Sequence, residues 1–452
     1  MSSEPNSVES PSLENGAADK KAPENKSKLS TADRVNNSLQ RRYRAEARFQ
    51  WYGRIAIFLG LSAVFLLFAD ITAKGYKAFV QTQIQLEINF DTLEMGLPAN
   101  PTSEDMRGAD FDRILQLAIY ERFPEVSGRN DRRALRSIVS SASVYMLQDM
   151  LEANPELADT TQSIWLIADD DVDVFHKGYI DRDLPEAQRR FKDIQIAWLD
   201  DLDAQGEVRI VFNKSFFTNG DSRDPEQAGI LGAAMGSLLT MLVTLILAVP
   251  LGVGAAIYLE EIAPKNRLTQ FIELNINNLA AVPSIIFGLL GLAIFINFFG
   301  LPRSAPLVGG LVLALMTLPT IIIASRSALK SVPPSIREAA FGVGASHTQT
   351  IMHHVLPLAM PGMLTGAIIG MAKALGETAP LLMIGMVAFI VDVPGGVTDS
   401  STVLPVQIYL WADSPERAFL EKTSGATLVL LAFLITMNGL AVILRRRLER
   451  RW

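Results

Sequence analysis

The chain has 452 residues, of which 49% are hydrophobic and 20% charged, with a mean hydropathy of +0.23; long uncharged runs on top of a positive mean exclude an ordinary soluble enzyme and point to a membrane protein. It has no cysteine, which excludes disulfides, thiolate metal sites, iron–sulfur clusters and a cysteine nucleophile. The net charge of −7 argues against nucleic acid as a partner, and four histidines (His176, His347, His353 and His354) are too few for a His-rich zinc or proton-relay site.

Residues 1–40 are rich in Ser, Asn, Glu, Lys and Pro and read as a disordered tail, which we extend to residue 48. No apolar run follows Met1 closely, so no signal peptide is expected. A first spanning helix is predicted over 49–74. Its apolar run, Ile55 to Ala69, is shorter than the roughly 20 residues that cross hydrocarbon, so it must borrow from its flanks. Arg41, Arg42, Arg44, Arg48 and Arg54 precede or open it, with Trp51 and Tyr52 at the boundary.

Residues 75–228 differ from the rest in composition. They hold 16 Lys+Arg and 29 Asp+Glu, a balance of −13, against +6 for the remainder. No long apolar run occurs, and a mixed α/β domain with its own core is expected. The run DDDVD (169–173) has the acidic repetition of a calcium loop but lacks its Gly and terminal Glu, and reads as a solvated acidic turn.

From Gly229 five further spans are expected, at about 229–259, 271–299, 305–328, 360–390 and 424–444, within a membrane domain 229–445. Pro250, Pro283, Pro319 and Pro380 interrupt four of them, which neighbouring helices can tolerate. Six spans put both termini on one side, together with Arg41–Arg54, the loop residues Arg326, Lys330 and Arg337, and the basic tail 446–452. That side is expected to be cytoplasmic, with 75–228 outside. The 260–270 loop is neutral, Glu260 and Glu261 standing against Lys265 and Arg267.

The loop 329–358 holds EAAFGVGASHTQTIMHHVLP at 338–357. Small residues at Ile336–Ala340 allow another surface to approach, Gly342 and Gly344 bend the chain, and a short helix to about Val355 is expected to stop before Pro357. Further on, PGMLTGAIIGMAKALGETAPL (361–381) places Lys373 and Glu377 four apart near the middle of the fifth span. If the helix is continuous they share a face and can pair. A charge at a helix centre costs about 2.5–3.5 kcal/mol on insertion scales, so such residues line a pathway or hold helices together. Both readings stay open, as does a plain anchoring role for Arg326. Arg303 reads as solvated, and Met363, Met371, Met383 and Met386 as packing.

The first of these strings resembles the EAA loop of ABC-transporter permeases, matching at Glu338, Ala339, Ala340, Gly344, Leu356 and Pro357, with His354 where an aliphatic residue is usual. The second resembles phosphate permeases of the PstA kind at Thr365, Gly366 and Gly376–Pro380, with Lys373 where Arg is usual. The resemblance covers about 229–445. It implies an all-α membrane protein with the six-helix type I importer fold, carrying 75–228 as a periplasmic insertion. It implies a transport subunit rather than an enzyme, in the bacterial inner membrane, without cofactor or metal. ATPase coupling falls to Glu338, Ala339, Ala340, Gly344, Leu356 and Pro357, and the substrate path to Lys373, Glu377 and Arg326. The chain lacks a GxxxxGK[ST] loop, so ATP hydrolysis is expected in a separate subunit dimer. The other implied partners are a second, PstC-like permease, a periplasmic phosphate-binding protein and membrane lipid. The alternatives are another oxyanion, such as sulfate or molybdate, and a membrane sensor using 75–228 as its ligand domain.

Overall fold

The computed structural model describes residues 31–98 and 102–448. The described residues divide into two units between Leu67 and Phe68. Helix α1 (Thr31–Gly75), which runs through that division, begins well before the apolar run. Residues 31–48, read from sequence as tail, are therefore helical. The run QRRYRAEARFQ is rich in good helix formers, and Gln50 bonds Glu46 at 3.4 Å one turn back. The rest of the expected tail (1–30) and the end of the basic C-terminus (449–452, with Arg450 and Arg451) lie outside the described residues. Phe58, Leu59, Leu61, Val64 and Leu67 distribute around the whole circumference of α1, as in a helix that apolar material surrounds.

The second unit opens with the acidic insertion. Three antiparallel strands, β1 (Val80–Asn89), β2 (Thr161–Ile167) and β3 (Val208–Phe212), form a sheet of order β2-β1-β3. Ile84 sits opposite Leu166, and Leu86 opposite Ile164. Ile84, Leu86 and Ile88 alternate toward a core, while Gln83, Gln85 and Glu87 point away from it. Helices α2 (Phe111–Arg122), α3 (Ala142–Ala153) and α5 (Asp193–Ala204) bring Phe111, Ile114, Leu147, Trp198 and Leu202 to that core. The short α4 (Asp170–His176) follows β2.

The acidic run is not a freely solvated turn. Asp169 caps α4, accepting a bond from the Asp171 N–H at 3.2 Å, and the carboxylates of Asp169, Asp170 and Asp171 lie within 4.8 Å of one another, each half-buried. Burial, then the charges of Asp170 and Glu226, push Asp169 up to about 8. Burial pushes Glu226 up to about 6, against the pull of the Ser140 hydroxyl. Lys177 secures the insertion to the last helix: it pairs with Asp173 at 2.6 Å and with Glu421 at 2.7 Å, all three side chains being largely buried.

The membrane part comprises α6 (Leu231–Ile257), α7 (Arg267–Ala280), α8 (Ser284–Gly291), α9 (Pro306–Lys330), α10 (Pro334–Gly342), α11 (Leu356–Leu375), α12 (Ala379–Met383), α13 (Leu404–Ala412) and α14 (Ala418–Leu448). Among the described residues, five helices are long and apolar enough to span a membrane, or six if α7 and α8 count as one span bent by 102° at residues 281–283. Pro283 stands at that bend and Pro380 opens α12, whereas Pro250 and Pro319 lie inside unbroken helices. The long α9 is the central element, with 61% of its apolar window buried between α6 and α11. Close approach depends on glycine: a Cβ at Gly310 would stand 2.5 Å from Val243, and one at Gly366 2.3 Å from Ala324.

Two helix boundaries differ from expectation. Pro357 does not stop the helix that begins at His347. A wide π-helical turn, Thr350–Val355, shifts the hydrogen-bond register just before it, so Pro357 falls in the first turn of α11, where its missing N–H costs nothing. Conversely, α11 ends at Leu375. The expected span 360–390 breaks at Gly376 and resumes only as the short α12.

The raised pKa values of Asp169 and Glu226 mean that the folded insertion holds protons that the unfolded chain releases above the ordinary carboxylate range. Their contribution to stability is complete below the unfolded values and disappears as pH rises through the folded ones. Thermal melting of the chain, followed by tryptophan fluorescence between about pH 5 and pH 9, should therefore show the insertion losing stability with rising pH. Asp170→Asn should flatten that slope by removing the negative neighbour that both groups share. An unchanged slope in this variant would contradict the assignment.

Candidate coupling loop and membrane-embedded charges

The loop after α9 folds back on itself. Pro334 opens α10 in its first turn, and α10 ends at Gly342. Gly344 then adopts φ +86°, a left-handed conformation that a side chain would strain. Ser346 starts the next helix with a capping box, its hydroxyl accepting from the Gln349 N–H at 3.3 Å while Gln349 accepts from the Ser346 N–H at 2.9 Å. Ala340 packs inward, with Ile336 against the cluster that holds Leu329, Val332 and Val355. The outer face shows Glu338, Ala339, Phe341, Val343 and Met352, all exposed. His353 and His354 are exposed on the same loop. Leu356 and Pro357 lie half-buried where α11 begins.

Arg337 fixes this loop from behind. Its guanidinium pairs with Glu261 at 2.5 Å and 3.3 Å and also donates to the Val332 and Leu329 carbonyls at 2.8 Å and 3.1 Å. Glu261 lies in the π-helical turn Tyr258–Ile262 that ends α6. Its own carbonyl accepts from His347 Nε2 at 2.9 Å, and the His347 ring stacks with Phe341. One residue earlier, Glu260 receives Arg326 at 3.3 Å and Lys330 at 3.6 Å, while Glu273 of α7 takes Arg326 at 2.7 Å.

Sequence reasoning missed Glu260, Glu261 and Glu273. It balanced Glu260 and Glu261 against Lys265 and Arg267, whereas the structure pairs them with Arg326, Lys330 and Arg337, which lie 66 to 76 residues away for the two arginines. The available signal was a pair of adjacent carboxylates ending one apolar run, with arginines ending the run that packs against it.

Lys373 and Glu377 do not pair among the described residues. Their four-residue spacing assumed a continuous helix, but Glu377 lies beyond the end of α11, its N–H bonded to the Ala374 carbonyl at 3.2 Å. Lys373 occupies the last turn of α11, where a cation is favoured by the open carbonyls, and its side chain is exposed. Glu377 is half-buried. Behind α11, a cavity of about 450 Å³ is lined by Met241, Leu245, Met371, Leu375 and Met437, with no charged residue in its wall. Lys373 is on the other side of the helix. Arg303 is exposed, and Met363, Met371 and Met386 are buried, with Met383 partly exposed.

The family described as "Binding-protein-dependent transport system inner membrane component" matches residues 248–452, and one described as "Domain of unknown function" matches residues 36–186. The chain is 36% identical over 231 residues to "Phosphate transport system permease protein PstA 1" of Mycobacterium tuberculosis (strain CDC 1551 / Oshkosh), covering 50% of this chain and 74% of that protein. It is 32% identical over 235 residues to "Phosphate transport system permease protein PstC" of Haemophilus influenzae, covering 47% of this chain and 73% of that protein. A solved structure of the MetNI methionine ABC transporter in an inward-facing conformation is similar at 16% identity and a TM-score of 0.40, covering 49% of this chain and 97% of that one. The glycine-bent loop at 331–355, the apolar spans on either side of it and this identity across most of a phosphate permease lead to one conclusion: the chain belongs to the family of phosphate transport system permeases of the PstA kind.

Proposed function

We propose that this chain is a transmembrane permease subunit of an ATP-driven phosphate importer. It works with a second permease, a separate ATPase and a substrate-binding protein. The second permease is PstC-like, the ATPase is a dimer, and the binding protein is periplasmic. The chain itself performs no covalent chemistry. Arginines flanking the first and last spans and in the 326–337 loop support placing the termini and the coupling loop in the cytoplasm, with the insertion outside.

The observation that carries this reading is the side-chain environment of Lys373. A cation exposed in the last turn of a spanning helix needs water or a polar partner around it rather than lipid. The large cavity within the chain is apolar and offers no route for an anion. Lys373 therefore makes physical sense facing a second permease, with the anion passing between the two. Glu377, half-buried just past the end of α11, is assigned to keeping the site from holding phosphate too tightly for release. Arg326 is already engaged by Glu260 and Glu273, so we assign it to holding the cytoplasmic end together rather than to contact with substrate. Lys373 offers a point charge rather than the bidentate fork of an arginine, which suits a transit site.

The assembled importer in proteoliposomes should accumulate labelled phosphate when supplied with ATP, with sulfate and molybdate competing poorly; equal competition would move the substrate to another oxyanion. In the same assay Lys373→Gln should abolish uptake, and Lys373→Gln/Glu377→Gln should not restore it. Restored uptake in the double variant would show that only charge balance matters there and would remove Lys373 from the path.

A further inference from the structure

We infer that Glu261 is a positioning residue that passes movement of the coupling loop to the spanning helix α6, with Arg337 as its partner; this rests on the permease reading above. Among the described residues, two groups of Glu261 link loop 331–355 to the end of α6 by polar bonds. Its carboxylate holds Arg337 of α10, ahead of the bend at Gly344. Its backbone carbonyl holds His347, which begins the helix after the bend. One residue at the tip of α6 therefore grips both limbs of the loop.

The grip is stiff. The Glu261 side chain is only 7% exposed, and the guanidinium it meets is also fixed by the carbonyls of Leu329 and Val332 at the end of α9. Bidentate pairing of this kind fixes direction as well as distance. The opposite face of the loop, with Glu338, Ala339, Val343 and Met352, is exposed and carries no such attachment. A push on that face reaches α6 through the Arg337–Glu261 pair. Glu260 performs a different task, tying Arg326 of α9 to Glu273 of α7, so the two adjacent carboxylates divide the cytoplasmic helix ends between them.

Removing one member of a buried pair leaves the other uncompensated, which makes the pair sensitive to single changes and open to rescue by restoring both charges. The test uses the complete importer in proteoliposomes, with ATP hydrolysis and labelled phosphate uptake measured on the same vesicles and the co-purified ATPase quantified. Glu261→Gln should leave assembly unchanged and raise ATP hydrolysed per phosphate imported by about tenfold. Glu261→Asp, or the exchange Glu261→Arg/Arg337→Glu, should bring the ratio back. An unchanged ratio in Glu261→Gln overturns the inference. So does a parallel fall in assembly and in both rates, which marks a structural role, and so does failure of both rescues. Absence of phosphate uptake by the unaltered importer would instead overturn the permease reading, and this inference with it.

Discussion

Hydrocarbon offers no hydrogen bonds, and this constraint orders the whole membrane domain. Each spanning segment must satisfy its backbone within a helix, and each charge at depth must find a partner or a watery surface. The central α9 meets the first demand as one continuous helix over Pro306–Lys330, and its small residues let its neighbours close in, with Gly310 under Val243 and Ala324 against Gly366. The second demand separates the ionisable groups into two sets. Those at the loop end are paired across helices, Arg326 and Arg337 with Glu260, Glu261 and Glu273. Among the described residues Lys373 has no such partner, and its side chain is exposed on α11.

The breaks in the helices follow from the same balance. Proline can stay inside a helix where packing or a register shift takes up the lost bond, as at Pro319 and, beside the π-helical turn, at Pro357. It starts a new segment where glycine or a bend has already ended the last one, as at Pro283 and Pro380. The break after Leu375 leaves Glu377 in irregular backbone, which is tolerated in a membrane only where protein or water surrounds it. The insertion is governed by different physics. It buries a conventional core behind β1 and is joined to α14 by the buried Lys177–Glu421 pair.

Much of the fold was legible in the sequence because apolar runs of spanning length are a strong signal. The EAA loop was legible because small residues and a glycine turn are short-range features. A mixed α/β insertion was expected, but the pairing within its sheet was not legible, since β1 pairs with strands more than 70 residues downstream, with several helices between. The site was legible only in part. Lys373 and Glu377 could be picked out as charges in an apolar run, but their relation could not, because it depended on whether α11 continued through Gly376. The clasp of Glu260 and Glu261 was hidden for a related reason: local counting pairs a charge with its sequence neighbours, whereas helix packing pairs it with residues one or two spans away.

The central claim is that Lys373 lines a phosphate path between two permeases, and the absence of native cysteine permits a direct measurement. A cysteine placed at position 369 of the assembled importer, one turn before Lys373 and exposed on the same side of α11, can be treated with a small, negatively charged, water-soluble thiol reagent, with and without phosphate. The account predicts modification from the aqueous phase that phosphate slows and sulfate does not. Modification only by a lipid-soluble reagent, or at a rate that phosphate leaves unchanged, would contradict it.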